Sequence, residues 1–222
     1  PGGSAMDEQR ENLQPEQNEA AAQDAKKTER GWESLAFLHD MVYLLAIVTI
    51  LFTFFFRLVA VDGSSMYPTL VDKDYLVLES NFLYRNVKQG DIVVLKVDYF
   101  DKPIVKRVIA TGGQTVDIDF EQGIVYVDGA ALDEDYVNEP TYKSYLEYGM
   151  GLDYPVEVPE GSVFVMGDNR NESADSRFAP VGCVLESQIS GRVLLIVVPG
   201  SQTDKQGNIT GGRVWRRIGA VA

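Results

Sequence analysis

Hydrophobic and polar positions divide the chain into three stretches. Residues 1–34 are polar almost throughout, and the first thirty contain no aromatic residue. Such a segment buries too little apolar surface to offset its ordering entropy, which predicts a disordered polar tail over 1–34. Met41 to Phe56 then runs sixteen residues, MVYLLAIVTILFTFFF, without a charge. Only Arg57 interrupts an extension to Val61. As a helix, 41–61 would measure about 32 Å, close to the hydrocarbon thickness of a bilayer. The pattern predicts one transmembrane helix, placed at 35–60. A buried core helix and a cleaved secretory signal remain alternatives. The polar residues ahead of the run, and an exit (FFFRLVAVDG) without a cleavage pattern, favour a retained span.

The third stretch, 61–222, changes period. Short runs rich in Val, Ile and Tyr alternate with Gly, Pro, Asp and Asn, the signature of strands and turns. Strands are predicted at 74–79, 91–97, 104–110, 115–119, 123–128, 162–166 and 190–198. Segment 133–160, rich in Tyr and acids, reads as an insertion or cap, with a returning strand at Tyr154–Val158. No run of ten residues here has a helical period. The expected fold is all-β, in curved antiparallel sheets behind one N-terminal transmembrane helix.

Charge adds an orientation. Lys26, Lys27 and Arg30 precede the apolar run, and Arg57 and Lys73 follow it. This bias places the N-terminus in the cytoplasm and 61–222 outside it, as a single-pass membrane protein. The net charge of −13 argues against nucleic acid as a partner. Trp215, with Arg213, Arg216 and Arg217, reads equally as a membrane-interface group or a surface strand.

Composition then restricts the chemistry. The chain has one histidine, His39, and one cysteine, Cys183. These exclude a multi-histidine metal site and an intramolecular disulfide. His39 stands at the start of the apolar run, so a Ser–His–Asp or Cys–His arrangement in 61–222 has no histidine to use. An acyl-transfer site there would need lysine, a carboxylate or an N-terminal amine as its base. Three stretches carry candidate chemistry. VDGSSMYPTL (61–70) is a Gly- and Pro-bearing turn with two serines. IVKRVIA (104–110) sets Lys106 among β-branched residues, where burial would favour its neutral form. MGDNRNESADSRF (166–178) packs Asp, Asn, Arg and Ser into one loop, and its arginines disfavour a calcium site. Taken singly, a turn serine and a strand lysine reaching water are the plainer readings.

Together, and in this order behind one apolar span, GSSMYPTL, KRVIATGGQTVDI and GDNRNESADSR resemble the bacterial type I signal peptidases, membrane-anchored Ser–Lys proteases. The resemblance covers about residues 41–200. It implies Ser65 as nucleophile and Lys106 as general base. It implies Ser173 as the serine that orients the lysine, and Asp168, Asp175 and Arg177 as structural support. Gly63 stands where some members carry a serine, so the oxyanion would rest on the backbone N–H of Ser65. Two substrate-binding segments are implied, Ala60, Val61 and Asp62 on one side and Pro103, Ile104 and Val105 on the other. The implied partners are secretory preproteins, with small residues at −1 and −3, and the lipid bilayer. No cofactor or metal is implied. The sequence departs from the family after DSR and over much of 133–160. A repressor-type Ser–Lys autoprotease and a catalytically silent binding protein are the rival readings. The span and the acidic tail speak against the first, and intact Ser65, Lys106 and Ser173 against the second. The terminal Ala220–Val221–Ala222 resembles the end of a cleaved signal peptide, which raises a tail docked in the site as a product mimic.

Overall fold

The structure is a computed structural model and describes Trp32 and residues 35–221. The tail expected over 1–34 lies, Trp32 apart, outside these residues. The chain divides into two compact units, Pro1–Leu51 and Phe52–Ala222. The apolar stretch is helical over Leu35–Phe55, long and apolar enough to cross a membrane, with none of its most apolar window buried. The helix predicted over 35–60 therefore ends early. Phe56–Ala60 is a strand, β1, paired residue for residue with β2 (Tyr75–Ser80). Hydropathy runs on through this switch. What ends the helix is a partner strand that takes over the backbone hydrogen bonds.

The second unit is all-β. Its main sheet also contains β3 (Ile92–Leu95) and β4 (Ile104–Thr111). A second sheet is built from β5 (Thr115–Asp119), β6 (Ile124–Val127), β7 (Ala130–Ala131) and β8 (Val156–Glu157). The chain then returns to the main sheet with β9 (Ser162–Met166), β10 (Val184–Leu185) and β11 (Ile189–Val198). β12 (Ser201–Thr203) and β13 (Ile209–Arg213) form a separate hairpin, and β14 (Gly219–Ala220) rejoins β11. The main sheet runs β1-β2-β11-β3-β4-β9-β10, antiparallel throughout. Register shifts along β11 and within β4 bend the sheet. Gly191 permits the bend in β11, because a Cβ there would overlap the Glu79 carbonyl.

Three apolar clusters fill the unit. One, of Val61, Met66, Leu70, Leu76, Leu78, Ile92, Val94, Val193 and Ile196, lies under the first serine-bearing turn. A second spans β3, β4 and β9, and the third packs the second sheet onto β4 and β9. Segment 133–160 is irregular, with a 3-10 turn at Leu146–Tyr148. Its return to the framework is β8, two residues of the predicted 154–158, paired with β5. Of the terminal Ala220–Val221–Ala222, Ala222 lies outside the described residues, and the two before it are on the sheet. Ala220 pairs with Leu195, and the Val221 N–H donates to the Leu194 carbonyl. Trp215–Arg217 is a 3-10 turn. Arg217 is in this turn and not on a strand; its guanidinium grips the buried Asp74 at 2.7 Å.

Candidate active site

The first serine-bearing turn is fixed from several sides. Gly63 takes φ +102°, and its N–H donates to Asp72 Oδ1 at 2.9 Å. The Tyr67 N–H closes a turn on the Ser64 carbonyl, and the Leu70 N–H one on the Met66 carbonyl. Met66 and Leu70 are fully buried and anchor the turn, leaving Ser65 at its edge. Apolar residues flanking polar ones thus set the serine's position before any polar contact does.

Lys106 comes from β4, where burial is almost complete. Its Nζ lies 2.7 Å from Ser65 Oγ and 2.9 Å from the Val105 carbonyl, and it donates to both. Among the described residues no carboxylate forms an ion pair with it. Burial pushes the ammonium down to about 8, and the nearby Arg177 charge adds to this against the opposing pull of Asp175 and Asp168. A neutral amine within hydrogen-bond reach of a hydroxyl can take its proton.

Ser173 is buried beside this pair without bonding to it. Its Oγ has no hydrogen-bond partner among the described residues. It lies against Gly167, where a Cβ would overlap both Ser173 Oγ and the Ser65 carbonyl. The expected bond from Ser173 to the lysine is thus not formed, and the two hydrogen bonds of Lys106 run to Ser65 and Val105.

Behind the pair stand three buried arginine–carboxylate forks. Arg177 meets Asp175 through Nε and Nη2, both at 2.9 Å, and Asp175 also accepts the Gly167 N–H. Arg107 meets Asp168 at 2.9 and 2.8 Å, and Thr69 Oγ1 donates to the same carboxylate at 2.5 Å. Arg170 meets Glu134 at 2.8 and 2.5 Å. Despite its burial, Asp175 is held below the usual carboxylate range by Arg177. The Thr69 bond ties the serine turn to the loop of residues 167–177. Asp168, Asp175 and Arg177 were legible as a group. Arg170 was legible with them as part of a polar loop; Arg107, Glu134, Tyr136 and Tyr145 were not. The Tyr136 ring covers Arg107 at 3.9 Å, and the Tyr145 hydroxyl donates to the Ser173 carbonyl. Segment 133–160 therefore seals the polar loops rather than decorating the sheet.

The six predicted substrate-binding residues converge. Ala60, Val61 and Asp62 line one wall, and Pro103, Ile104 and Val105 the other, of a cleft of about 330 Å3 that also exposes Ser65 and Lys106. β1 is an edge strand of the sheet. β9 pairs with β4 only from Arg107 onward, so Ile104, Val105 and Lys106 pair with β3 alone among the described residues. Both walls thus present backbone that a peptide can pair with. Lys73 and Lys102 flank the exposed Asp62 at the rim, at 3.1 and 2.9 Å. Cys183 is half-buried, burial pushes its thiol up, and it takes no part in the cleft.

The family described as "Signal peptidase, peptidase S26" matches residues 34–198. The chain belongs to the signal peptidase family. Among its relatives is the probable signal peptidase I-1 of Synechocystis, 38% identical over 159 residues, covering 68% of this chain and 75% of that one. Signal peptidase I of Bacillus amyloliquefaciens is 34% identical over 163 residues, covering 72% and 82%. A solved signal peptidase I from Enterococcus faecalis is 28% identical and covers 49% of this chain and 97% of that one, with a TM-score of 0.39. The matched region begins just ahead of the apolar helix and includes all three motifs.

Proposed function

We propose that this chain is a membrane-anchored serine endopeptidase that removes signal peptides from secreted preproteins. In this reading Ser65 is the nucleophile and Lys106 the general base. The observation that carries it is the 2.7 Å approach of a buried lysine, itself without a carboxylate partner among the described residues, to Ser65 Oγ. Neutral Lys106 takes the Ser65 proton as Oγ attacks the scissile carbonyl. The backbone N–H of Ser65 faces the oxyanion. Lys106 then gives its proton to the leaving amine, and water deacylates the serine ester with Lys106 again as base. The signal-peptide end lies in the cleft and adds a short strand between the Ala60–Asp62 and Pro103–Val105 walls. Small side chains at −1 and −3 are what the resemblance to the family implies. Asp168, Asp175 and Arg177 hold the loops in place, and Ser173 lies beside the dyad as a further hydroxyl. The N-terminus is cytoplasmic, and the β unit works on the far side of the bilayer.

Ser65→Ala and Lys106→Ala should each abolish cleavage of a purified preprotein by the full chain in detergent. Normal processing by either variant overturns the assignment. In the unmodified enzyme, kcat/KM should fall about tenfold per pH unit below about 8, as Lys106 becomes protonated. A flat profile between pH 6 and 8 would remove Lys106 as the base.

A further inference from the structure

Asn169 is fully buried, yet nothing assigned so far uses it. It touches the serine turn twice. Its backbone N–H donates to the Ser65 carbonyl at 3.0 Å, and its Nδ2 donates to the Ser64 carbonyl at 3.0 Å. The second hydrogen on Nδ2 goes to the Lys205 carbonyl at 2.6 Å. Both acceptors are carbonyls, which fixes the amide orientation with nitrogen toward the turn. The Oδ1 atom is left buried without a partner among the described residues. A side chain kept for stability alone would satisfy both ends of its amide, since a buried unpaired oxygen opposes folding. This one gives up that bond to hold two carbonyls in one place.

Lys205 belongs to the loop joining β12 and β13. Asp204 ties that loop together, accepting the N–H groups of Gln206 and Asn208. Lys205 Nζ meets Glu139 at 3.0 Å, so the loop is also fastened to segment 133–160. A Cβ on Gly207 would lie in ordinary contact with Ser64. The β12–β13 hairpin therefore lies against the serine turn at Ser64. Asn169 joins the two.

We propose that Asn169 is a positioning residue for the nucleophile, fixing the turn that carries Ser65 by holding its two flanking carbonyls against the β12–β13 hairpin. The proposal rests on Ser65 being the nucleophile, and its test has one readout that does not. Asn169→Ala and Asn169→Asp are compared with the unmodified full chain in detergent. Asp keeps the size and the backbone N–H on the Ser65 carbonyl but offers no side-chain N–H to the Ser64 or Lys205 carbonyl. A misplaced nucleophile loses rate rather than binding. Both variants should therefore lower kcat by about 10²-fold with KM within about twofold. The acid limb of the pH profile should stay near 8, because burial of Lys106 sets it. If Asn169 only kept water out of the fold, the limb would move up as Lys106 became hydrated. Hydrogen exchange supplies the independent arm. Amides of residues 64–70 and 204–208 should exchange faster in both variants, with those of β9 unchanged. A kcat within twofold of the unmodified chain, a shifted acid limb, or unchanged exchange at 64–70 overturns the positioning role. If the unmodified chain does not process a preprotein, the proposed function fails instead, and hydrogen exchange alone decides whether Asn169 holds the turn.

Discussion

Two regions far apart in the sequence and close in the fold bury charge in opposite ways. Arg177 and Asp175 are both fully buried and meet in a two-point fork whose spare groups find backbone partners. Lys106 is buried as deeply, and its neighbours are a hydroxyl and a carbonyl. The fork keeps both its charges, with Asp175 held low and Arg177 held high by one another. The lysine is pushed the other way, toward neutrality. A paired charge is structural furniture, inert to pH over the ordinary range. An unpaired one is reactive because its environment penalises the form that solvent prefers.

The largest effect should come from splitting the fork. Arg177→Met leaves Asp175 alone in the core and should cost about 3–5 kcal/mol of stability, read by urea unfolding of the full chain in detergent. Replacing both partners, as Asp175→Leu with Arg177→Met, should cost clearly less. Equal losses would mean that packing, not the stranded charge, is what matters. Lys106→Met should do the reverse and stabilise the protein by about 1–3 kcal/mol at pH 7 while abolishing cleavage. The sign follows from the lowered lysine. Between about 8 and the ordinary value of 10.5 the unfolded chain binds the proton that the folded chain has lost, so native stability rises with pH across that window. The advantage of Met is thus largest below pH 8 and fades toward 10.5. An advantage constant with pH would break the comparison. The smallest effect belongs to the cap. Tyr145→Phe removes the hydroxyl that bonds the Ser173 carbonyl, and should cost about 1 kcal/mol with the acid limb of activity unmoved.

Much of this was legible along the chain because it is local. The strands at 115–119 and 162–166 have the bounds their alternation predicts, and 104–110 gains only Thr111. The six cleft residues could be named because they adjoin the two motifs in sequence. What stayed hidden depends on distant partners. β1 is a strand only because β2 lies beside it. Glu134 reaches Arg170, and Tyr136 covers Arg107, across gaps with no periodic signature. The acidic and tyrosine-rich character of 133–160 was visible and read as an insertion or cap, but its three contacts with buried groups have no local signature. Asn169 stood in plain view inside a motif. Its use came from the Lys205 loop, which shares no pattern with it.

The stretch of β4 that β9 leaves uncovered is three residues long, ending where Arg107 takes up the ladder. At about 3.3 Å per residue this is roughly 10 Å of open edge. In the proposed function, a chain docking there would find main-chain partners for a few residues only. Such an edge would work as a ruler. It would measure off a fixed short length of extended backbone and take no account of what lies beyond, so cargo of any fold could follow the few residues that are gauged.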